Sequence, residues 1–220
     1  MQTTTTVPSY LAGLTELRTT LKQMLPPDSL NAFDGYGETL NSTMPEILKI
    51  RKGDKAPNFT LSNQLGNAIA LSDLLKKGKV ILVFYRGAWC PYCNLQLNQL
   101  QSVLEEIKSG NASLVAISPQ IPDASMSMAE KSKLGFDVLS DLGNTIARKF
   151  TTVYRHADYA TDIIKSLGID FEGYYSDDSY ELPVPAVFVI GQDGTILFAK
   201  SQGGDFRRRV EPSEILAALK

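Results

Sequence analysis

Apolar and polar positions follow two different patterns along this chain, one before and one after residue 50. Leucines recur at three- and four-residue spacing over residues 11–25, which is typical of an amphipathic helix. Pro26-Pro27 ends that run, because proline lacks the amide that would continue it. A second, weaker helix is predicted over Thr43–Ile50, starting at Pro45. We therefore predict an N-terminal helical extension over residues 1–50.

From residue 51 to residue 220, short apolar runs alternate with helical stretches. The predicted strands are Val80–Tyr85, Leu114–Ser118, Val138–Ser140, Ala186–Ile190 and Thr195–Lys200, and the predicted helices are Pro91–Lys108, Ser127–Leu134, Asn144–Phe150 and a last one from Pro212. Asp193-Gly194, between two apolar runs, predicts a hairpin. The aromatic stretch between residues 150 and 186 is predicted to be irregular. This order predicts an α/β domain, a mixed central sheet flanked by helices, that resembles the thioredoxin fold.

Composition narrows the class of protein. The chain has 220 residues, of which 43% are apolar, and a net charge of -2, which suits one sizeable core and offers no case for nucleic acid or an anionic membrane. The N-terminus lacks the features of a secretory signal, and no apolar run reaches the roughly 18 residues of a membrane span. Two cysteines are too few for a disulfide-stapled secreted scaffold. We expect a cytoplasmic protein.

The two cysteines carry the chemistry. Cys90 and Cys93 lie three residues apart, after an apolar strand and at the start of a predicted helix. Amides of the first helical turn favour a thiolate there. We expect Cys90 to be the exposed sulfur with a lowered pKa, and Cys93 to be better buried and suited to resolve a mixed disulfide. The pair is interpreted as a redox centre.

Three groups of segments carry a family resemblance: residues 56–61 with 71–74, residues 80–93, and residues 115–120 with 138–141 and 147–150. Together with residues 185–194, they resemble the alkyl hydroperoxide reductase/thiol-specific antioxidant family, the peroxiredoxins and their relatives. The resemblance covers about residues 50–220. It implies a thioredoxin-like fold and thiol-dependent reduction of hydrogen peroxide or organic hydroperoxides through a Cys90/Cys93 disulfide cycle.

The resemblance also assigns individual positions. The family's Pro-x-x-x-Thr-x-x-Cys motif places the peroxide-attacking cysteine on Cys93, its proline on Arg86 and its threonine on Cys90. The family's arginine falls on Pro185. The centre also resembles those of thioredoxins and glutaredoxins, which pair two cysteines across two residues behind a tryptophan. Family position nominates Cys93 for attack and expected exposure nominates Cys90, so both assignments stay open here.

Five neighbours of the cysteines are candidate supporting residues. Trp89 is expected to cover the site, Pro91 to open the helix and Tyr92 to shape the spacer, although plain packing explains both aromatic rings as well. Arg86 either stabilises a thiolate or sulfenate or forms a structural ion pair. Pro185 resembles the cis-proline that faces the dithiol in thioredoxin folds, and we expect its peptide bond to be cis.

Other polar residues are interpreted as structural. His156 is predicted to lie at the surface, and one histidine with a cysteine pair does not complete a four-ligand zinc site. Arg207-Arg208-Arg209 is predicted to be a solvated turn, with the binding of an anionic reductant as the alternative. The glycines near residues 191 and 203 do not match a phosphate-binding loop. We therefore predict no metal and no cofactor.

These observations lead to a predicted antioxidant peroxide reductase, recycled by thioredoxin or glutathione. The alternative is a thioredoxin- or glutaredoxin-like oxidoreductase acting on protein or glutathione disulfides. A non-enzymatic interaction module is a third hypothesis, which the intact dithiol disfavours. The helix over residues 11–25 either pairs two copies in a homodimer or covers the domain's own apolar surface.

Overall fold

The computed structural model describes residues 6–44 and 46–220. The helices are α1 (Tyr10–Met24), α2 (Pro27–Thr43), α3 (Leu71–Leu75), α4 (Pro91–Ser102), α5 (Leu104–Ser109), α6 (Pro122–Lys131), α7 (Ala147–Phe150), α8 (Asp158–Ser166) and α9 (Pro212–Ala217). The strands are β1 (Thr60–Asn63), β2 (Ala68–Ala70), β3 (Lys79–Phe84), β4 (Ala112–Ser118), β5 (Asp137–Ser140), β6 (Val153–Arg155), β7 (Glu181–Pro183), β8 (Ala186–Ile190) and β9 (Ile196–Lys200). None of the helices in these two ranges has the length and apolar character needed to cross a bilayer.

Seven strands form the central sheet, in the order β2-β1-β5-β4-β3-β8-β9. The β3–β4 and β4–β5 pairs are parallel, and the remaining neighbours are antiparallel. β6 and β7 pair separately as a two-stranded ribbon. The predicted α/β class, a mixed sheet flanked by helices in a thioredoxin-like arrangement, is confirmed.

The central strand β3 is buried on both faces. Its side chains alternate between two cores, as the two-residue period of a strand requires. Val80 and Leu82 pack in one core with Phe150, whereas Ile81 and Val83 face the core beneath α4 and the N-terminal helices. A strand covered on both faces is expected to be apolar throughout, which explains why β3 is the clearest strand signal of the sequence.

The N-terminal segment forms two consecutive helices. α1 ends before Pro26, and α2 begins at Pro27, where the missing amide is harmless because first-turn amides have no intrahelical partner. The predicted second helix over Thr43–Ile50 is therefore wrong. Residues 46–50 are not helical, and Pro45, its predicted start, lies outside the described residues.

Two other expectations also need correction. The predicted helix Pro91–Lys108 is divided into α4 and α5, because Val103 leaves the helical conformation (φ -109°, ψ 17°) while its side chain stays buried. The stretch expected to be irregular contains β6, α8 and β7. Strands of three residues are too short to show a two-residue period in the sequence.

The two N-terminal helices pack against the rest of the chain, α1 on α4 and α2 on α8. Polar contacts connect them to the C-terminal segment. The Glu211 carboxylate accepts the amides of Tyr10 (2.7 Å) and Leu11 (3.0 Å), and the Tyr10 hydroxyl donates to the Arg207 carbonyl (2.7 Å). A carboxylate at a helix N-terminus compensates free amides and the helix dipole.

Gly204 gives a test of this packing, because its backbone lies directly against the Leu40 carbonyl of α2 and a Cβ atom would overlap that oxygen. We expect Gly204→Ala to lower the free energy of unfolding by about 1–3 kcal/mol, measured by urea denaturation. Gly35→Ala is the control, because Gly35 lies in α2 with nothing within 4 Å of the new methyl. It should raise the free energy of unfolding by roughly 0.5–1 kcal/mol. Similar effects of both substitutions would contradict the close approach at Gly204.

Candidate active site

The cysteine pair lies between the end of β3 and the start of α4. Cys90 is the N-cap residue of α4 (φ -87°, ψ 111°), and Pro91 is its first residue. The Cys90 carbonyl accepts the amides of Cys93 and Asn94, both at 3.1 Å. Cys90 therefore stands at the helix N-terminus and Cys93 lies within the first turn.

Hydrogen bonds hold the loop before α4. The Asn94 side-chain amide donates to the Ala88 carbonyl at 2.8 Å, and the Ala88 amide donates to the Gln120 side chain. The Cys90 amide donates to the Gly87 carbonyl at 3.1 Å. The loop is thus tied both to α4 and to the segment that follows β4.

Both cysteines are free thiols and both are buried. Cys90 is 1% exposed and Cys93 is 0% exposed. The expectation that Cys90 is exposed is therefore wrong. Side chains of α1 and α2, together with Phe206, belong to the same apolar cluster as Cys90, and the sequence pattern gave no sign that these distant segments would meet there.

Two buried guanidinium groups face the thiols. Arg209 donates from Nη2 to Cys93 Sγ at 3.2 Å, and Arg86 places Nη1 at 3.9 Å from Cys90 Sγ. Arg86 is 2% exposed and Arg209 is 4% exposed. Across residues 6–44 and 46–220, neither guanidinium has a carboxylate within 4.0 Å. The thiols are thus the acidic groups placed to balance these charges.

The surroundings of the two thiols give them different pKa values. Burial raises the pKa of Cys93, but the hydrogen bond from the Cys90 thiol and the charges of Arg209 and Arg86 outweigh it and lower this pKa well below the usual range. Burial raises the pKa of Cys90, and the neighbouring Cys93 raises it further. The expected low pKa of Cys90 is therefore wrong, because burial and the hydrogen bond with Cys93 raise this pKa more than the charges of Arg86 and Arg209 lower it.

The C-terminal loop holds Arg209 in place. Arg209 Nη1 donates to the Arg208 carbonyl at 2.8 Å and to the Phe206 carbonyl. Arg207 pairs with Asp205 at 2.9 Å and with Asp34 of α2 at 2.7 Å. The solvated turn predicted for the three arginines describes only Arg208, whose side chain is 61% exposed.

Aromatic rings fix Arg86. Its guanidinium lies 4.7 Å from the centroid of the Trp89 ring and 4.1 Å from that of Phe206. Trp89 donates from Nε1 to the Tyr175 hydroxyl at 2.6 Å, and Tyr175 donates to the Arg86 carbonyl at 3.0 Å. The ion pair that was the alternative for Arg86 is absent from the described residues, where cation–π contacts replace it.

His156 packs behind Trp89. It is fully buried, with its ring centroid 5.7 Å from Trp89 and 5.5 Å from Phe171, and Nδ1 lies 2.9 Å from the Thr161 hydroxyl. Burial, followed by the charge of Arg86, lowers the pKa of His156 to about 2. His156 is thus a neutral interior residue, and the predicted surface position is wrong.

Tyr92 and Pro185 have different surroundings. The Tyr92 hydroxyl lies 3.4 Å from Arg18 Nη1 of α1, and its ring centroid is 5.9 Å from that of Phe206. The peptide bond before Pro185 is trans, so the expected cis bond is wrong. The Val184 amide, before Pro185, donates to the Thr152 carbonyl at 2.8 Å.

A cavity of about 190 Å³ opens beside Cys90. Four apolar side chains of its wall come from the N-terminal segment: Leu21 of α1, Leu25 just after α1, and Leu30 and Phe33 of α2. The end of α8 with the residues after it contributes three more. Cys90 and Arg86 lie in the wall as well, whereas Cys93 does not. The sequence showed the apolar face of the helix over residues 11–25, but it showed neither α8 nor that these segments meet beside Cys90.

Comparison with known proteins identifies relatives. Residues 52–199 match the model of the AhpC/TSA family. The chain is 38% identical over 101 residues to the putative peroxiredoxin bcp of Buchnera aphidicola subsp. Schizaphis graminum, covering 46% of this chain and 63% of the relative. It is 30% identical over 143 residues to the chloroplastic peroxiredoxin Q of Gentiana triflora, covering 64% of this chain and 60% of the relative. The chain thus spans less than two thirds of the length of either relative.

A solved structure is similar to this chain in fold. The crystal structure of peroxidoxin BcpB from Mycobacterium tuberculosis is similar with a TM-score of 0.60 and 26% identity, over 77% of this chain and 96% of that one.

Helices α1 and α2 and Arg209 fall outside the range that the family model matches. That range includes the cysteine pair and the whole seven-stranded sheet apart from the last residue of β9. Because it covers more than half of the chain, the protein belongs to the AhpC/TSA family.

Proposed function

We propose that the protein is an antioxidant enzyme, a thiol-dependent reductase of hydrogen peroxide and organic hydroperoxides. One observation carries the proposal: Cys93 is a buried thiol that accepts a hydrogen bond from Arg209, with a second thiol within the same helical turn. A thiolate is the nucleophile that attacks peroxides. The relatives named peroxiredoxin support the same chemistry.

In the proposed cycle, the Cys93 thiolate attacks the terminal oxygen of the peroxide. A sulfur–oxygen bond forms as the oxygen–oxygen bond breaks, giving a Cys93 sulfenic acid and an alkoxide or hydroxide that takes up a proton. The Cys90 thiol then condenses with the sulfenic acid, which forms a disulfide and releases water. Arg209 and Arg86 are positioned to stabilise the negative charge of the thiolate and of the departing oxygen.

A thiol reductant closes the cycle. Attack on a disulfide favours the accessible sulfur and expels the thiol of lower pKa. Cys90 lines the cavity and Cys93 has the lowered pKa, so we propose that the cover over Cys90 opens in the oxidised protein, that the reductant then attacks Cys90, and that Cys93 leaves as a thiolate. Thioredoxin and glutathione are the proposed donors and the reducing cytoplasm is the proposed compartment, while the homodimer stays a prediction.

The supporting residues have separate proposed roles. Trp89 holds Arg86 against the site, Tyr92 closes the site beside α1, and Pro91 starts the helix that presents both sulfurs. Pro185, with a trans bond and its carbonyl accepting the Ser201 hydroxyl at 2.8 Å, is proposed to start β8 and to have no part in recognition.

A disulfide oxidoreductase is disfavoured. Such an enzyme acts on other proteins through an exposed thiolate of low pKa. Here Cys90 is 1% exposed and its pKa is raised.

The proposed function is tested by stopped-flow oxidation of the reduced protein, following Trp89 fluorescence. We expect the second-order rate constant to exceed that of a free thiolate by at least about a hundredfold, the lower range for a positioned, electrostatically assisted reaction. Mass spectrometry should show a loss of two hydrogens as Cys90 and Cys93 join. A rate no faster than that of a free thiol would refute peroxidase activity.

Arg209 is expected to control the pKa of Cys93. In the wild-type protein, ultraviolet thiolate absorbance and the peroxide rate should persist as the pH falls below about 8.5, the usual thiol pKa, because Cys93 stays deprotonated. Arg209→Gln should raise the pKa of Cys93 and reduce both readouts at neutral pH by on the order of tenfold. Arg208→Gln is the matched control, since that side chain is 61% exposed. Identical pH curves for the two variants would contradict the role of Arg209.

The order of attack is tested with single cysteine variants. We expect Cys90→Ser to keep reacting with hydrogen peroxide and to accumulate a sulfenic acid on Cys93, trapped with dimedone and located by peptide mass spectrometry. Cys93→Ser should lose the fast reaction. A trapped sulfenic acid on Cys90 in the Cys93→Ser protein would reverse the assignment of attacking and resolving thiols.

A further inference from the structure

The position of Arg209 depends on the loop that carries it, residues 201–211. Besides Cys93, the hydrogen-bond partners of this guanidinium are the carbonyls of Phe206 and Arg208, which belong to the same loop. Its Nε atom has no partner within the described part of the chain. Whatever fixes this loop therefore also fixes the distance between the Arg209 cation and Cys93.

Asp34 of α2 holds that loop through two guanidinium groups. Arg207 Nη1 donates to its carboxylate at 2.7 Å, and Arg18 of α1 donates from Nη1 and Nη2 at 2.5 and 2.6 Å. Arg207 lies two residues before Arg209 and makes a further bidentate pair with Asp205, with both hydrogen bonds at 2.9 Å. One carboxylate thus joins α1, α2 and the loop.

The surroundings of Asp34 favour a fixed, charged carboxylate. Its side chain is 23% exposed, against 77% for Glu38, which lies one helical turn further along α2 and 3.9 Å from the same Arg207. Burial raises the pKa of Asp34, but the hydrogen bonds from Arg18 and Arg207 outweigh it and lower this pKa. A partly buried carboxylate bound by two guanidinium groups keeps its geometry better than an exposed one.

The backbone of α2 lies directly against the same network. A Cβ atom at Gly37 would lie 2.8 Å from Asp205 Oδ1 and 3.0 Å from Arg207 Nε. On the other side, Arg18 Nη1 lies 3.4 Å from the hydroxyl of Tyr92, in the spacer between the cysteines. The network thus borders the site at both the C-terminal loop and the spacer between the two thiols.

From this arrangement we infer that Asp34 is a positioning residue for the proposed reaction. Through Arg207 it keeps the loop in the place where Arg209 donates to Cys93, so a residue of the N-terminal helices maintains the thiolate through other side chains. Asp34 precedes the range that the family model matches, which begins at residue 52. The inference rests on the proposed function, but the charge state of Cys93 is measured without any peroxide.

The sign of the effect separates this role from a direct effect of charge. Asp34 is an anion, so removing its charge would by itself favour the thiolate and lower the pKa of Cys93. If Asp34 acts by placing Arg209, its removal instead lets the cation move away and raises that pKa. A role limited to stability would change the free energy of unfolding and leave the pKa of Cys93 unchanged.

The test is an ultraviolet titration of the Cys93 thiolate in the full-length protein carrying Cys90→Ser, which leaves Cys93 as the one thiol. We expect Asp34→Asn to raise the midpoint of this titration by about one pH unit, the lower end of what an adjacent opposite charge contributes. Asp34→Glu, which keeps the carboxylate, should raise it less. The other charged or titratable groups around Cys93 stay in place, namely Arg86 and four tyrosines whose pKa values burial raises: Tyr10, Tyr85, Tyr154 and Tyr175.

Glu38→Gln is the matched control, because it removes an exposed carboxylate near the same guanidinium of Arg207. It should leave the midpoint unchanged. If circular dichroism shows Asp34→Asn to be unfolded, Arg207→Lys takes its place. An ammonium group keeps the charge but cannot make the paired hydrogen bonds of a guanidinium, so this variant should also raise the midpoint.

A double variant tests the route through Arg209. When Arg209→Gln is already present, Asp34→Asn should cause no further rise, because the cation that it would displace is gone. An unchanged or lower midpoint in folded Asp34→Asn, or in Arg207→Lys where that variant replaces it, would overturn the inference. So would an equal rise in Glu38→Gln, or a further rise on top of Arg209→Gln. A wild-type protein that holds its thiolate but does not react with peroxide would instead refute the proposed function and leave the role of Asp34 intact.

Discussion

The compensation of buried guanidinium charge by the Cys93 thiolate is the constraint on which the site depends. A buried cation without an anionic partner is strongly unfavourable. Arg86 and Arg209 have no carboxylate within 4.0 Å among the described residues, and each faces a cysteine sulfur. A thiolate at Cys93 offsets one of these two charges, so the same interaction that helps the core to hold the arginines also makes the nucleophile.

Three separate parts of the chain must meet for this balance to exist. Arg86 follows β3, the cysteines open α4, and Arg209 comes from the loop before α9. That loop is tied to α2 through the Arg207–Asp34 pair, and Asp34 also pairs with Arg18 of α1 at 2.5 Å. Helices α1 and α2 thus stabilise the loop that carries Arg209, the cation beside the Cys93 thiolate. Side chains from the same N-terminal segment also enclose the cavity beside Cys90.

In this site, the cations beside the cysteines come from other positions than the arginine of the family's motif. The resemblance drawn from the sequence places the motif's proline and threonine on Arg86 and Cys90, and its arginine on Pro185. A guanidinium instead reaches Cys93 from the C-terminal loop, outside the matched range. A charge acts through distance and burial and does not depend on which segment supplies it, so the scaffold can keep a thiolate while the supporting residues change place.

The sequence alone determined the α/β class, the strand–loop–helix that presents the cysteines, and the position of β3, because these depend on local periodicity and on neighbouring residues. It did not determine which thiol is acidic, since this pKa depends on Arg209, more than a hundred residues away from Cys93. The burial of His156, the trans bond at Pro185 and the cavity under α1 and α2 likewise became visible only in the tertiary structure. Each depends on contacts between distant segments, and a linear pattern of apolar and polar residues does not specify which surfaces meet.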